Sequence, residues 1–326
     1  MRVIHGLESV QFTGVVLTIG NFDGVHRGHQ AILAAGRRRA DTTGARLVVM
    51  TFDPHPLAIL TPHHAPPLLT HLDQKLDRLE HCGADAVVVA GSNPEFLELS
   101  PGEFIRQIIV PRFKPTAVVE APSFAFGRNR RGDVNTLLAG ACEHGFDVEV
   151  VEPVRVRLGG HPDTVISSSL IRQLLASGTV DQAAMCLGRP YSVTGRVIRN
   201  ARRGQSLGFP TANVHVDAQL IPGQGVYAGR AEIDRRHLAA AISIGHNPTF
   251  DGRQVILEAR LLDFAADLYD RLIRLDFLQW IREQRKFDSP QTLRRQIERD
   301  VARTREVYAA SSPGANGPLS PDRDDP

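Results

Sequence analysis

Short apolar runs rich in β-branched residues recur through the first half of the chain, at Val15–Ile19, Leu47–Phe52, Ala86–Val89, Ala117–Val119 and Val148–Val151. Stretches with helical patterning separate them, near Gln30–Arg39, Asp73–His81, Pro101–Ile109 and Asp133–His144. Apolar strands alternating with helices fit a parallel sheet covered on both faces. In such sheets ligands bind beyond the carboxyl ends of the strands. The segment Gly20-Asn21-Phe22-Asp23-Gly24-Val25-His26-Arg27-Gly28-His29 follows the first run directly, which is where a site belongs.

A helical stretch, Ser167–Leu187, closes this half, and the pattern changes at Gly188-Arg189-Pro190-Tyr191. Beyond it turn residues recur, at Gly204, Gly208, Pro210, Pro222-Gly223, Gly225, Gly245, Pro248 and Gly252. They punctuate β-like runs at Val226–Ile233, Ala239–Ile244, Val255–Leu262 and Leu272–Phe277. No helix-length pattern intervenes, so this half reads as a small antiparallel β-barrel. A last helix follows Ser289-Pro290, an N-cap and first-turn proline, with Leu293, Ile297 and Val301 on one stripe. Ser311–Pro326 is rich in Pro, Gly, Ser and Asp and reads as a disordered tail. The expected domains are therefore 1–187 and 188–310, with a tail at 311–326; 326 residues suffice for two domains.

Composition removes several function classes. The 38 Lys and Arg against 36 Asp and Glu leave a formal net charge of +2, unlike a protein built to coat nucleic acid. No apolar run approaches a membrane span, and MRVIHGLESVQF has no export pattern, so a cytoplasmic protein without membrane or nucleic-acid partners is expected, as a monomer or weak oligomer. Cys82, Cys142 and Cys186 are far apart with no CxxC, which argues against zinc and disulfides.

Three N-terminal segments carry chemistry. In the first, Gly20, Gly24 and Gly28 allow close backbone approach to phosphate, and the following helix presents free N–H groups. His26 and His29, three apart, share a face and can stabilise charge developing on phosphate. An HxGH alone is more often a surface pair at a turn; the ten-residue context behind a buried strand, with Asn21, Phe22 and Asp23, makes it a phosphate loop. The second segment, Ile166-Ser167-Ser168-Ser169-Leu170-Ile171-Arg172, offers hydroxyls and N–H groups at a helix start and an arginine for phosphate. The third, Pro122 to Asp133, includes Ser123, Phe124, Ala125 and Arg128, with Asp133 as a helix N-cap.

With Thr51-Phe52-Asp53-Pro54-His55-Pro56, these segments resemble the HxGH nucleotidyltransferases, and within them the FMN adenylyltransferase module of bacterial FAD synthetases, over roughly Val15 to Gly188. The resemblance implies a doubly wound, Rossmann-like α/β domain. It implies attack of the FMN phosphate on the α-phosphate of ATP, with release of pyrophosphate and with magnesium. His26, His29 and Arg172 would be catalytic, and Gly20, Asn21, Phe22, Asp23, Gly24, Gly28, Ser167, Ser168 and Ser169 would line the ATP site. Ser123, Phe124 and Arg128 would meet the flavin. Ser123 and Ala125 depart from the residues usual in that module, an acidic or amide residue and an arginine.

In the second half, Gly208 and Pro210 fix a turn, after which Thr211 and Asn213 alternate onto one side of an extended segment. A hydroxyl and an amide oxygen are hard ligands suited to magnesium and phosphate. Pro222 to Ala228, Ile244 to Phe250, Leu257-Glu258-Ala259, Asp263-Phe264 and Arg282 to Phe287 follow in order. Together these resemble riboflavin kinase, over roughly Pro190 to Tyr308. The resemblance implies that Glu258 accepts the proton of the riboflavin 5′-hydroxyl, that Thr211 and Asn213 hold magnesium, that Gly204, Gly208 and Pro210 approach ATP, and that Arg285 and Phe287 meet the flavin.

The expected function is thus riboflavin to FMN to FAD in one chain, using ATP twice, with magnesium, riboflavin, FMN, FAD and ATP as cofactors, substrates and products. Two other readings are a riboflavin kinase with a weakened or altered adenylyltransferase half, and a non-catalytic flavin- or nucleotide-binding regulator.

Overall fold

Strands β1 (Arg2–His5), β2 (Val15–Ile19), β3 (Leu47–Phe52), β4 (Ala86–Ala90), β5 (Pro115–Glu120) and β6 (Asp147–Val150) form one sheet in the order β1-β4-β3-β2-β5-β6, with every pairing parallel. This is a computed structural model, and it describes residues 1–199, 211–246, 255–264 and 266–311. The chain divides into two compact units, Met1–Ser168 and Ser169–Pro326.

The first sheet is apolar on both sides because both sides are covered. Along β2, Val15, Leu17 and Ile19 enter one core with Met50, Phe113 and Val118, whereas Val16 enters another with Leu33, Val49 and Leu79. Period-2 alternation thus feeds two cores from one strand, and a continuous apolar run results. Helices α1 (Arg27–Thr43) and α2 (Leu72–His81) cover the second core. A helical segment over Pro101–Phe104 and Ile105–Phe113, with π geometry in its second part, and α3 (Val134–His144) cover the first. Asp133 caps α3, its carboxylate accepting the Thr136 N–H at 2.8 Å. The 101–109 helix expected from sequence continues to Phe113 despite Pro111. A hairpin of β7 (Arg155–Leu158) and β8 (His161–Val165) follows.

In the second unit, the stretch read as one helix is two, α4 (Ser168–Ala176) and α5 (Val180–Leu187), separated at Gly178, which has φ +79°. Then come β9 (Tyr191–Ile198), β10 (Ala212–His215), β11 (Gly225–Ile233), β12 (Arg236–His246), β13 (Val255–Leu261) and β14 (Leu272–Arg282). Among the described residues these close into an antiparallel barrel in the order β10-β13-β12-β11-β14-β9. Helix α6 (Pro290–Ser311) starts where Ser289 Oγ accepts the Thr292 N–H. Its expected apolar stripe is only half-buried, and its most buried side chains are Asp300 and Thr304. Asp300 takes both Arg282 Nε (3.1 Å) and Nη2 (2.7 Å), pinning the end of β14 to the helix.

On the barrel wall Asp276 is 2 % exposed and is held by Arg230 Nε at 2.9 Å and Arg274 Nε at 3.0 Å. Its removal strands the Arg230 guanidinium and leaves Arg274 with Glu232 at 3.4 Å, and both guanidiniums still reach solvent, which places the cost below that of a fully buried pair. Asp276→Ala is expected to lose about 2 kcal/mol. A urea melt followed by the fluorescence of Trp280, the single tryptophan and a residue of β14, checks this. An unchanged midpoint would refute it.

Candidate active sites

Beyond Ile19 the chain leaves the sheet through a tight turn. Gly20 N donates to Met50 O at 3.0 Å, and Phe22 (φ +48°), Gly24 (φ +84°) and Val25 (φ +38°) carry left-handed backbone. Such values are costly for Phe and Val. Both side chains are anchored in the core, 2 % and 1 % exposed. Asp23 is the clamp. Its carboxylate accepts the N–H groups of Leu69 and Thr70, at 3.0 Å each, and Thr70 Oγ1 takes the Gly24 N–H at 3.1 Å. Asp23 thus holds the loop shape with its side chain.

The helix behind this loop begins three residues earlier than its sequence pattern suggests, because His26 is its N-cap. His26 Nδ1 accepts the His29 backbone N–H at 3.2 Å, so a neutral His26 carries its proton on Nε2. The two rings stack at 3.6 Å and 15°, and a Cβ on Gly28 would meet the His26 ring at 3.1 Å. Burial, then the charges of His26 and Lys75, hold the His29 pKa well below the ordinary 6.5, so its ring is neutral at pH 7. Two buried atoms here, His29 Nδ1 and Asn21 Oδ1, have no hydrogen-bond partner among the described residues. Buried polar atoms without partners are rare and mark places where a ligand can supply them.

Sequence reasoning missed Lys75. It is 7 % exposed, and its ammonium donates to Thr51 Oγ1 and Phe52 O, both at 3.3 Å. Thr51 Oγ1 in turn donates to Asn21 O at 3.1 Å. Burial lowers the Lys75 pKa, and the carboxylates of Asp23 and Asp53 oppose this. The signal was present: Leu72, Leu76 and Leu79 form the apolar stripe of α2, and Lys75 interrupts it at core-facing spacing.

Ser168 Oγ donates to Asp23 O at 3.0 Å, tying the serine segment to the loop within the first unit. Ser169 and Arg172 lie on α4 and are grouped with the second unit. In the 122–133 segment, Phe124 and Phe126 stack at 5.2 Å, and Phe126 and Gly132 exchange backbone hydrogen bonds. Ser123 is exposed, and Arg128 is exposed beside Glu98.

In the barrel, the register sets Asn213 of β10 opposite Glu258 of β13, and Glu258 opposite Ser243 of β12. Directly paired residues share a face, and Thr211, two residues before Asn213, falls on the same one. Leu257 and Ala259 are buried while Glu258 is half-buried, which puts this face outside the barrel core. Burial raises the Glu258 pKa above its ordinary value and makes the carboxylate a stronger base. Gln284 Nε2 reaches Ser243 Oγ at 2.6 Å, which brings the 283–287 loop to this face. Within that loop the Arg285 guanidinium lies 4.9 Å over the Phe287 ring and bonds to Gln296 of α6. Gly204, Gly208 and Pro210 lie outside the described residues, as does 247–250.

The FAD synthetase family model matches residues 9–169, and the riboflavin kinase family model matches residues 187–308. The bifunctional riboflavin kinase/FMN adenylyltransferase of Escherichia coli (strain K12) is 36% identical over 314 residues, covering 96% of this chain and 99% of the relative. The enzyme of the same description from Pseudomonas fluorescens is 37% identical with the same coverage, and that from Bacillus subtilis (strain 168) is 35% identical over 91% of this chain and 93% of its own. A solved structure described as a macrolide-efflux protein from Streptococcus pneumoniae superposes with a TM-score of 0.85 at 28% identity, covering 94% of this chain and 99% of that one. Efflux is a statement about that protein; no helix among the described residues here is long and apolar enough to cross a membrane. The two family models in tandem and relatives matched along nearly their whole length show that this chain belongs to the bifunctional riboflavin kinase/FMN adenylyltransferase family.

Proposed function

We propose that the second unit phosphorylates riboflavin to FMN with ATP and that the first joins FMN to the AMP moiety of a second ATP, giving FAD and pyrophosphate. The observation that carries this is the presence, one in each unit, of two separate constellations suited to the two steps: a base opposite an amide on the barrel, and a clamped phosphate loop with stacked histidines at the sheet.

In the kinase step Glu258 takes the proton of the flavin 5′-hydroxyl as its oxygen approaches the γ-phosphorus. Thr211 and Asn213 supply neutral hard oxygens beside that carboxylate, a donor set that fits magnesium. When bound, magnesium neutralises charge on the phosphate oxygens. Arg285 and Phe287 present a cation on an aromatic face, which suits stacking against a flavin ring.

In the adenylyl step the FMN phosphate attacks the α-phosphorus in line, and the protein contributes position and charge. Backbone N–H groups of the loop and the start of α1 meet phosphate oxygens, and His26 donates through Nε2. Arg172 adds a guanidinium for phosphate. The compartment is the cytoplasm, and a monomer or weak oligomer suffices.

Purified protein given riboflavin and Mg-ATP should produce FMN and then FAD with pyrophosphate, separated by chromatography. If neither flavin product forms, the proposal fails. A second reading, a kinase with a weakened adenylyltransferase half, draws on Ser123 and Ala125; FMN accumulating without FAD would favour it.

A further inference from the structure

The candidate adenylyl site lies where the strand order of the sheet reverses, between β2 and its neighbour β5, and these two strands part there. β2 and β5 pair only as far as Leu17 and Val118. Past that point β2 keeps β3, through Ile19 opposite Met50 and the Gly20 N–H on Met50 O. β5 keeps β6, through Glu120 opposite Val150 and the Val151 N–H on Glu120 O. Backbone donors alternate in direction along a strand, so the Ile19 N–H faces the departed β5. A side chain takes the place of the missing ladder partner: Glu120 Oε1 accepts the Ile19 N–H at 2.6 Å and also receives Thr18 Oγ1 at 3.4 Å.

Glu120 is 3 % exposed, and burial drives its pKa well above the ordinary carboxyl value, against the pull of these two donors. A carboxyl is an expensive way to satisfy one amide. Its reach explains the choice. A backbone carbonyl could bond Ile19 only if the strands stayed together, and that would close the crevice in which ligands of such sheets sit. Ile19 is followed directly by Gly20 and Asn21, the first residues of the phosphate loop.

We propose that Glu120 is a positioning residue for adenylyl transfer: its carboxyl bridges the parted strands and fixes the Ile19–Gly20–Asn21 backbone on which the phosphate loop is built. This rests on the adenylyltransferase reading of the site.

The test compares the wild-type chain with E120Q, E120V and E120D in FMN-to-FAD conversion at varied ATP, with riboflavin phosphorylation measured in parallel. E120Q keeps an acceptor oxygen at the same reach and should retain at least half of kcat/KM for ATP. E120V leaves the Ile19 N–H unpaired and should lose about 10- to 100-fold in kcat/KM, since a displacement near 1 Å in a reacting geometry costs that much. E120D falls one methylene short and should lose similarly, which keeps the question open to measurement if E120V does not fold. Kinase activity should be unchanged in all three. Wild-type rates in E120V or E120D would overturn the inference, and so would an E120Q as impaired as E120V, because the ionised carboxylate would then matter in place of the acceptor. Should the wild-type chain make no FAD from FMN, the adenylyltransferase reading itself fails, and that outcome is distinct from a wild type that works alongside an E120V that works equally well.

Discussion

Glu258→Gln should slow FMN formation about a thousandfold while FMN is still converted to FAD at the wild-type rate. The replacement preserves the shape of the side chain opposite Asn213 and Ser243 and removes the capacity to take a proton. Burial raises the Glu258 pKa, so the base is lost at a higher pH than an ordinary carboxylate, and the acid limb of the kinase profile should sit correspondingly higher. The stability consequence has the opposite sign to the activity. A folded-state pKa above the unfolded one favours folding below the unfolded value of 4.5, and that contribution is lost as pH rises through the folded pKa. Above the folded pKa the ionised carboxylate is therefore a burden, and there the Gln variant should melt no lower than wild type. A variant that keeps a tenth of the kinase rate would remove Glu258 from the role of base.

His29→Ala should have the complementary outcome, with FAD formation down about 100- to 1000-fold and riboflavin phosphorylation intact. The ring stacks on His26 and borders Phe22, and its Nδ1 is buried with no partner among the described residues. Truncation removes the surface that holds the His26 imidazole in its donating orientation. Because the folded pKa lies below 6.5, the neutral ring supports the fold above that pH. As pH falls through 6.5 the unfolded chain takes up a proton that the folded ring refuses, and stability drops. Urea melts followed by far-UV circular dichroism at pH 7.5 and 5.5 should show this acid loss in wild type and less of it in His29→Ala. Simultaneous loss of both activities in a folded variant would contradict the assignment of the two reactions to separate sites.

Much of this was legible in the chain because burial leaves a pattern. The four inner strands, β2 to β5, are mostly apolar since both faces are covered, whereas β6, read from the same kind of run, is an edge strand with no buried residue; the loop after Val15–Ile19 lies where a parallel sheet presents ligands. β1 escaped notice because only Ile4 of its four residues is buried, so an edge strand left no run to read. In the β7–β8 hairpin Val156 and Leu158 are buried, but charged residues alternate with them over four positions, too short a stretch to leave a run. Lys75 and Glu120 were hidden differently. Each is a polar residue at a position whose neighbours are apolar, and only the fold shows what its charge meets: Thr51 for one and the Ile19 N–H for the other. In the barrel, the separation of Asn213 from Glu258 by more than forty residues of sequence made their pairing a matter of register, which no local pattern carries.

The barrel closes late. β14 lies between β9 and β11 and joins the start of the unit to its middle. A ribosome that has passed β13 has released a sheet with two bare edges, each a template for pairing with another chain. The parallel sheet, by contrast, has all its strands once Val150 has emerged. Synthesis therefore delivers the FAD-forming half while the FMN-forming half is still an open ribbon, the reverse of the order in which the flavin meets them. Premature stops between residues 262 and 272 should consequently yield insoluble chains, since each ends with those edges still unpaired.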